Sequence, residues 1–288
     1  MNRLLVGLDI GGTKLMVAAA DPHTLHATAT EMAATPEGLE DGIDLLHTLI
    51  GRVTRGVPLA GIAAAVGGPL DWQTGVVSPL HQPAWRQVPL GRIMRDRWQV
   101  PFRCDVDTNV AALGEYHLGA YTESRLLYLT LSTGMGGGLV VDGKIYRGGM
   151  GGVHPEVGHQ AVPFRCSHPE RVQCECGAPD CLEGLISGNA IRRIYGKPPE
   201  ELAPAEWQEV AWNLGMGLRN LAAIYAPDVI AIGGGMARQG ETLLEPARNV
   251  MAAHLKLVPA PRVVVSKLGY DTALRGALVL AREAAGLG

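Results

Sequence analysis

The 288-residue sequence predicts an α/β protein of two related lobes. Three observations lead there. Short apolar segments with strand spacing alternate with longer segments of helical spacing along the chain. The pattern of strand, glycine-rich turn with a threonine, then strand occurs twice, over Leu4–Ala20 and over Leu126–Val141. Glycine supplies 38 residues, or 13%, against an ordinary share of about 7%. Many of these glycines sit at the ends of apolar strands and not in a low-complexity tract.

Leu4–Asp9 is a buried strand ending on a carboxylate. Asp9-Ile10-Gly11-Gly12-Thr13-Lys14 turns the chain into a return strand, Leu15–Ala20, so the turn closes a hairpin. A dinucleotide-binding loop would open a helix after its glycines instead. N–H groups in such a turn can approach phosphate oxygens because no Cβ intervenes, although two glycines also suit an ordinary hairpin. Leu25–Thr30 can add a third strand. Pro36–Thr54 is helical, with proline near its start and Leu39, Ile43, Leu46, Leu49, Ile50 and Val53 at helical spacing. Gly61–Val66 is a strand broken by Gly67-Gly68-Pro69, and Leu70–Trp85 is a long loop without a clear period. Val88–Trp98 is helical and Phe102–Val106 a short strand. Asp107-Thr108-Asn109 leads into helical spacing over Val110–Leu118, where Asp107 can equally be a plain N-cap.

A second cycle begins at Arg125. Leu126–Leu131 is a strand, Ser132–Gly138 a glycine turn and Leu139–Val141 the return strand; Asp142-Gly143 is a hairpin signal. Gly148–Gly152 reads as flexible. Cys181–Tyr195 is helical with a break at Ser187-Gly188, and Ala205–Ala226 is a long helix whose Gly215 and Gly217 permit close packing. Asp228–Ile232 is a strand running into Gly233-Gly234-Gly235. Glu241–Leu257 is helical, Arg262–Val265 the last strand and Thr272–Ala285 the last helix. The expected division is a smaller lobe over 1–106, with the helix at 272–286 packing back on it, and a larger lobe over 107–271.

Twenty-five basic and 28 acidic residues leave a net charge of −3, which argues against a surface dedicated to nucleic acid or to an anionic membrane. The N-terminus has no signal-peptide profile, and the longest uncharged apolar run, Gly56–Leu70, is too short and broken to span a membrane. The expected location is the cytoplasm. In a reducing compartment five cysteines, three of them closely spaced, favour a metal over disulfides.

His159, Cys174, Cys176 and Cys181 fall within 23 residues. One imidazole and three thiols fill a tetrahedral zinc site and leave no open position, which makes the zinc structural. The alternative is free buried thiols beside a surface histidine, but Cys-x-Cys followed closely by Cys rarely serves packing alone. Cys166 and His168 lie in the same loop and compete as ligands, whereas Cys104 falls in a strand and reads as core. Glu156 and Glu183 flank the knot, so a metal that gathers the segment also gathers these carboxylates.

Six motifs occur in an order that resembles the ROK family of repressors, open-reading-frame proteins and sugar kinases. They are Asp9–Lys14, Asp107–Glu115, Ser132–Gly138, Glu156-Val157-Gly158-His159, Cys174-Glu175-Cys176-Gly177 with Cys181-Leu182-Glu183, and Gly233–Gly235. The resemblance runs from Asp9 to about Ala277. It implies an actin-like, hexokinase-like ATPase fold, with two α/β lobes around a ligand cleft. It implies ATP-dependent phosphorylation of a hexose, glucose at its 6-hydroxyl foremost, with Asp107 as general base. Asp9, Gly11, Gly12, Thr13 and Lys14 would then form one phosphate turn and Ser132, Thr133, Gly134 and Gly136 the other. Gly233, Gly234 and Gly235 would lie on the adenosine side. Mg2+ would bridge the phosphates, with Asp9 reached through water. Asn109, Glu156, His159 and Glu183 would read sugar hydroxyls, and His159, Cys174, Cys176 and Cys181 would hold structural Zn2+. A homodimer is also implied.

The alternatives are a kinase for fructose, mannose or an N-acetylhexosamine, a polyphosphate-using kinase, and a sugar-sensing regulator. ROK repressors carry a DNA-binding helical region of about 80 residues ahead of the first motif, where eight residues precede Asp9 here. The sequence departs from the family pattern in four ways. Val106 replaces an Asn whose amide contacts the sugar, Ser132 replaces the first Gly of the second turn, Asp180 replaces a Gly before the last Cys, and the His159–Cys174 gap is longer. Without that amide, one hydrogen bond to a sugar hydroxyl is missing, which would cost about 1–3 kcal/mol or redirect the choice of sugar.

Overall fold

A computed structural model describes residues 3–148 and 154–287; of the flexible stretch expected at Gly148–Gly152, residues 149–152 lie outside them. The chain forms two compact units. One comprises Met1–Tyr121, Gly143–His154 and Asp271–Gly288, and the other Thr122–Asp142 and Pro155–Tyr270.

In the first unit β1 (Leu4–Ile10), β2 (Lys14–Ala20), β3 (Ala27–Ala34), β4 (Leu59–Val66) and β7 (Phe102–Val106) form a sheet in the order β3-β2-β1-β4-β7. β1 and β2 are antiparallel, while β4 is parallel to both β1 and β7. The central strands are apolar nearly throughout because helices cover both faces. Leu46, Leu49, Ile50 and Val53 of α1 (Leu39–Thr54) cover one face, and α3 (Asp107–Leu118) and α8 (Thr272–Ala284) the other. β10 (Lys144–Tyr146) packs on α3 and adds Ile145 to that second core.

Three boundaries differ from expectation. Leu25 is not in β3 but in a turn, with φ 55°, where its N–H donates to the Asp21 carbonyl. The loop over Leu70–Trp85 contains a small hairpin, β5 (Leu70–Asp71) with β6 (Val76–Val77). Past it the Arg86 guanidinium donates to the carbonyls of Pro79, Leu80 and Gln82, and Trp85 is fully buried ahead of α2 (Leu90–Trp98). The third helix starts at Asp107 itself, so Val106 occupies the capping position and Asp107 lies in the first turn.

Helix α3 belongs to the first unit because it crosses α8 backbone to backbone. A Cβ on Gly276 would fall 1.9 Å from the Val110 carbonyl oxygen, and one on Gly114 would fall 2.7 Å from the Gly276 Cα. Gly276→Ala must push the helices apart and is expected to cost about 1–3 kcal/mol, read as a fall in Tm. An unchanged Tm would mean that this crossing carries no packing energy.

The second unit repeats the wiring. β8 (Arg125–Leu131) and β9 (Met135–Val141) are antiparallel, and β11 (Val229–Gly233) and β12 (Arg262–Val265) continue the sheet in parallel, in the order β9-β8-β11-β12. Its helices are α4 (Glu183–Ile186), α5 (Gly188–Tyr195), α6 (Pro204–Tyr225) and α7 (Glu241–His254). Leu127, Leu129, Ile230 and Ile232 meet Leu214, Leu218 and Leu221 of α6 in its core. The second glycine turn is shorter than expected. Gly136, Gly137 and Gly138 belong to β9, opposite Thr130, Leu129 and Tyr128, and only Ser132–Gly134 turns. Among the described residues no helix is long and apolar enough to cross a membrane.

Candidate active site

The candidate residues fall into two sets, one on each unit. In the first unit the β1–β2 hairpin places Asp9 opposite Met16, and the Gly11 N–H closes the turn on the Lys14 carbonyl at 3.0 Å. Gly12 and Thr13 are exposed. Asp107 is half-buried, and its Oδ1 accepts from the Thr108 N–H at 2.7 Å. Asp9 and Asp107 feel one another. Burial first, then the Asp107 charge, pushes the Asp9 carboxyl up to about 6, with Lys14 opposing and Asp271 adding to the rise. Negative charge thus concentrates beside a turn whose Gly12 and Thr13 are exposed, which suits a site completed by a cation.

The sign of this shift is testable. The folded chain holds the Asp9 proton more tightly than the unfolded chain does. The resulting stability is fully present below pH 3.8 and is lost as pH rises through about 6. Asp9→Asn is therefore expected to be more stable than the parent at pH 7.5, by on the order of 1–3 kcal/mol, and the gap should close toward pH 4. Thermal melts of the ligand-free chains against pH check this. A variant no more stable than the parent at pH 7.5 would contradict it.

Asn109, expected to read a sugar hydroxyl, lies in the first turn of α3. It is 1% exposed, and its Nδ2 donates at 2.9 Å to Oδ1 of Asp105 near the end of β7, while its Oδ1 has no hydrogen-bond partner among the described residues. Val106 is also buried, at the end of β7. The Cys104 thiol, pushed up to about 12 by burial, is an inert core group as expected.

In the second unit the Ser132 N–H closes on the Gly134 carbonyl at 2.9 Å. The carbonyls of Ser132 and Thr133 accept the N–H groups of Gly188 and Asn189 at the start of α5. Gly233 ends β11, and Gly234 has φ 85°, where a Cβ would meet the Leu131 carbonyl oxygen at 2.3 Å. Only glycine fits both that conformation and that approach. Together these turns wall a pocket of about 530 Å³ that includes Ser132, Thr133, Gly188 and Gly235. Arg192 and Arg238 also line it. Neither is legible as a site residue in the sequence, because each lies in an ordinary helical or post-glycine segment and reaches the pocket only through the fold.

Glu156 is exposed at the start of a short 3-10 turn, Val157–His159, where the His159 N–H donates to its carbonyl. His159, Cys174, Cys176 and Cys181 form one cluster whose ligand atoms all lie within 4.8 Å of one another. Cys174 Sγ is 3.4 Å from His159 Nδ1, and Cys176 Sγ is 3.4 Å from Cys181 Sγ. Tetrahedral zinc spaces two thiolates about 3.8 Å apart and a thiolate and an imidazole nitrogen about 3.6 Å apart, so donors gathered this closely fit that ion with small shifts. Cys166 and His168 stand outside the cluster. The longer loop is stapled to α6 through Arg165 with Asn213 and through the Ser167 N–H with Glu209, and His168 packs edge-on against Tyr195. Glu183 joins the cluster to the second turn. Its Oε2 lies 3.5 Å from His159 Nδ1, and its Oε1 accepts from the Met135 N–H at 3.2 Å.

A family model described as the ROK family matches residues 5–284. The chain belongs to the ROK family. A glucokinase from Streptomyces coelicolor is 28% identical, over 97% of this chain and 98% of its own. A ROK hexokinase structure from Thermus thermophilus superposes with a TM-score of 0.82 at 32% identity, covering 99% of this chain and 100% of that one. A ROK glucokinase from Streptomyces griseus, in complex with glucose and AMPPNP, gives a TM-score of 0.76 at 27% identity, covering 97% and 99%. The doubled hairpin-and-parallel sheets are those of the actin-like, hexokinase-like α/β ATPase fold that this ROK chain shares with them.

Proposed function

We propose that this ROK protein is an ATP-dependent hexose kinase, with glucose as the first candidate acceptor and Asp107 as general base. The observation that carries the reading is Asp107. It is a half-buried carboxylate in the first turn of α3, close enough to Asp9 for their charges to couple, in the unit that also carries an exposed glycine turn. Phosphoryl transfer asks for little side-chain chemistry beyond positioning, charge neutralisation and one proton acceptor. The sugar hydroxyl oxygen forms the new bond to the γ-phosphorus, the bond to the β–γ bridging oxygen breaks, and the hydroxyl proton passes to the Asp107 carboxylate.

Asp9 and the Gly11–Lys14 turn, with the Ser132–Gly134 turn, would hold the phosphates. Mg2+ would neutralise phosphate charge there, with Asp9 on the protein side. The pocket beside Gly235 would take the nucleoside. Asn109, Glu156, His159 and Glu183 would read sugar hydroxyls, since each carboxylate can accept from two neighbouring hydroxyls. Zinc would act structurally, fixing the His159 ring through Nδ1 so that Nε2 is left to the sugar. Val106, in place of an amide, is where the sugar preference of this chain would depart from that of its relatives.

A thermal-shift panel tests the reading. ATP with Mg2+ and glucose should each raise Tm, since ligands that bind only the folded chain stabilise it. A response to sugar alone would favour a regulator that senses sugar without phosphorylating it.

A further inference from the structure

Asp105, two residues before Asp107, is a carboxylate buried to 1% exposure. Its Oδ1 accepts from the Val106 N–H at 2.8 Å and from Asn109 Nδ2 at 2.9 Å, and its Oδ2 accepts from Arg147 Nε at 2.7 Å. The Arg147 guanidinium in turn lies 4.1 Å from the centroid of the Trp72 ring. Packing alone does not call for a charge here. The flanking Cys104, Val106 and Val110 are buried and apolar, and burying an ion pair costs desolvation that an aliphatic side chain would avoid. What the carboxylate does is bracket one residue. Its bonds reach the backbone just before Asp107 and the side chain one step past Thr108, so they clamp the β7–α3 corner on both sides of it.

We infer that Asp105 and Arg147 are positioning residues that hold Asp107 in its reactive orientation, with Trp72 keeping the guanidinium plane turned so that Nε faces Asp105. The inference rests on Asp107 being the base. Stacking on an aromatic face and a fixed fork of donors are properties of arginine that lysine lacks. Loss of the clamp would leave the corner folded, through β7 and α3, but let the Asp107 carboxylate drift from the attacking hydroxyl.

The test compares kcat, KM for glucose and for ATP, and Tm in Asp105→Asn, Arg147→Gln, Arg147→Lys, the double variant Asp105→Asn with Arg147→Gln, and Asp107→Asn. Asn at 105 keeps an acceptor for Val106 and Asn109 but turns an NH2 group toward the Arg147 donor. Asp105→Asn is expected to lower kcat by about 10- to 100-fold, with both KM values within about threefold. Arg147→Lys should lower kcat in the same way although it keeps the charge. The double variant, whose Gln can accept from that NH2, should regain about tenfold in kcat over Asp105→Asn. If Asp105→Asn melts earlier but keeps kcat, or if KM carries the loss, Asp105 is structural and the inference is wrong. Should Asp105→Asn fail to fold, Arg147→Gln at the partly exposed end of the clamp decides by the same kcat criterion. An active Asp107→Asn would instead overturn the base assignment itself, whatever the Asp105 variants do.

Discussion

Asp107→Asn is expected to lower turnover by about 10²–10⁴-fold, the range over which a positioned base acts, while glucose binding stays measurable. The amide keeps the size of the side chain and an oxygen that can accept the Thr108 N–H, so the first turn of α3 should survive. What it loses is the capacity to take a proton as the hydroxyl attacks. The loss should appear in kcat with little change in KM, because the base is needed more in the transition state than in the ground state. The variant also removes a negative charge beside Asp9, which should bring the Asp9 carboxyl down from about 6 toward its ordinary range. Steady-state kinetics with calorimetric glucose binding separates these effects. A variant that turns over within a few-fold of the parent would show that the proton leaves by another route.

Much of this site is readable along the chain because its parts are local. The hairpin Leu4–Ala20 declares itself by two apolar strands around Gly11 and Gly12, and the zinc ligands by the spacing Cys174, Cys176, Cys181. The second turn reads too long in the sequence because glycine has no strand propensity of its own. Position 137 of β9 takes glycine because a Cβ there would meet Val157 and the Tyr128 carbonyl, which no local pattern reveals. Asn109 follows Asp107 so closely that the motif invites a ligand role, but the motif does not show that its amide nitrogen is engaged by Asp105 at the end of β7. The Gly114–Gly276 crossing and the Arg147–Asp105 pair join residues distant in sequence, so they become visible only once the chain is folded.

Removing the zinc proposed for the His159, Cys174, Cys176 and Cys181 cluster is expected to have the largest effect on stability. Cys181 is 2% exposed and Cys174 3% exposed, and between them lies a loop with no regular secondary structure of its own. Without an ion the segment is held by its contacts to neighbouring elements, such as the Arg193 guanidinium, which donates to the carbonyls of Arg171, Gln173 and Gly184. Structural zinc contributes about 10–16 kcal/mol of apparent binding energy in small zinc peptides, part of which is folding energy. Cys181→Ala is expected to purify without zinc and to melt roughly 5–15 °C lower, at about 2–4 °C per kcal/mol for a domain of this size. Chelation of the parent should do the same, and should also weaken glucose binding because His159 and Glu183 are held at the cluster. Elemental analysis and calorimetry test both parts. Zinc retained in Cys181→Ala would discard the four-ligand site, and glucose affinity untouched by chelation would discard the coupling to sugar.

The measurement that bears most directly on the whole account is ADP release by the purified chain with Mg2+ and ATP, coupled to a reporter and run across common hexoses and N-acetylhexosamines. ADP is expected to form one for one with sugar phosphate, with glucose among the accepted sugars and no release without sugar. No ADP above background with any of these sugars, from a chain that is folded and loaded with zinc, would contradict it.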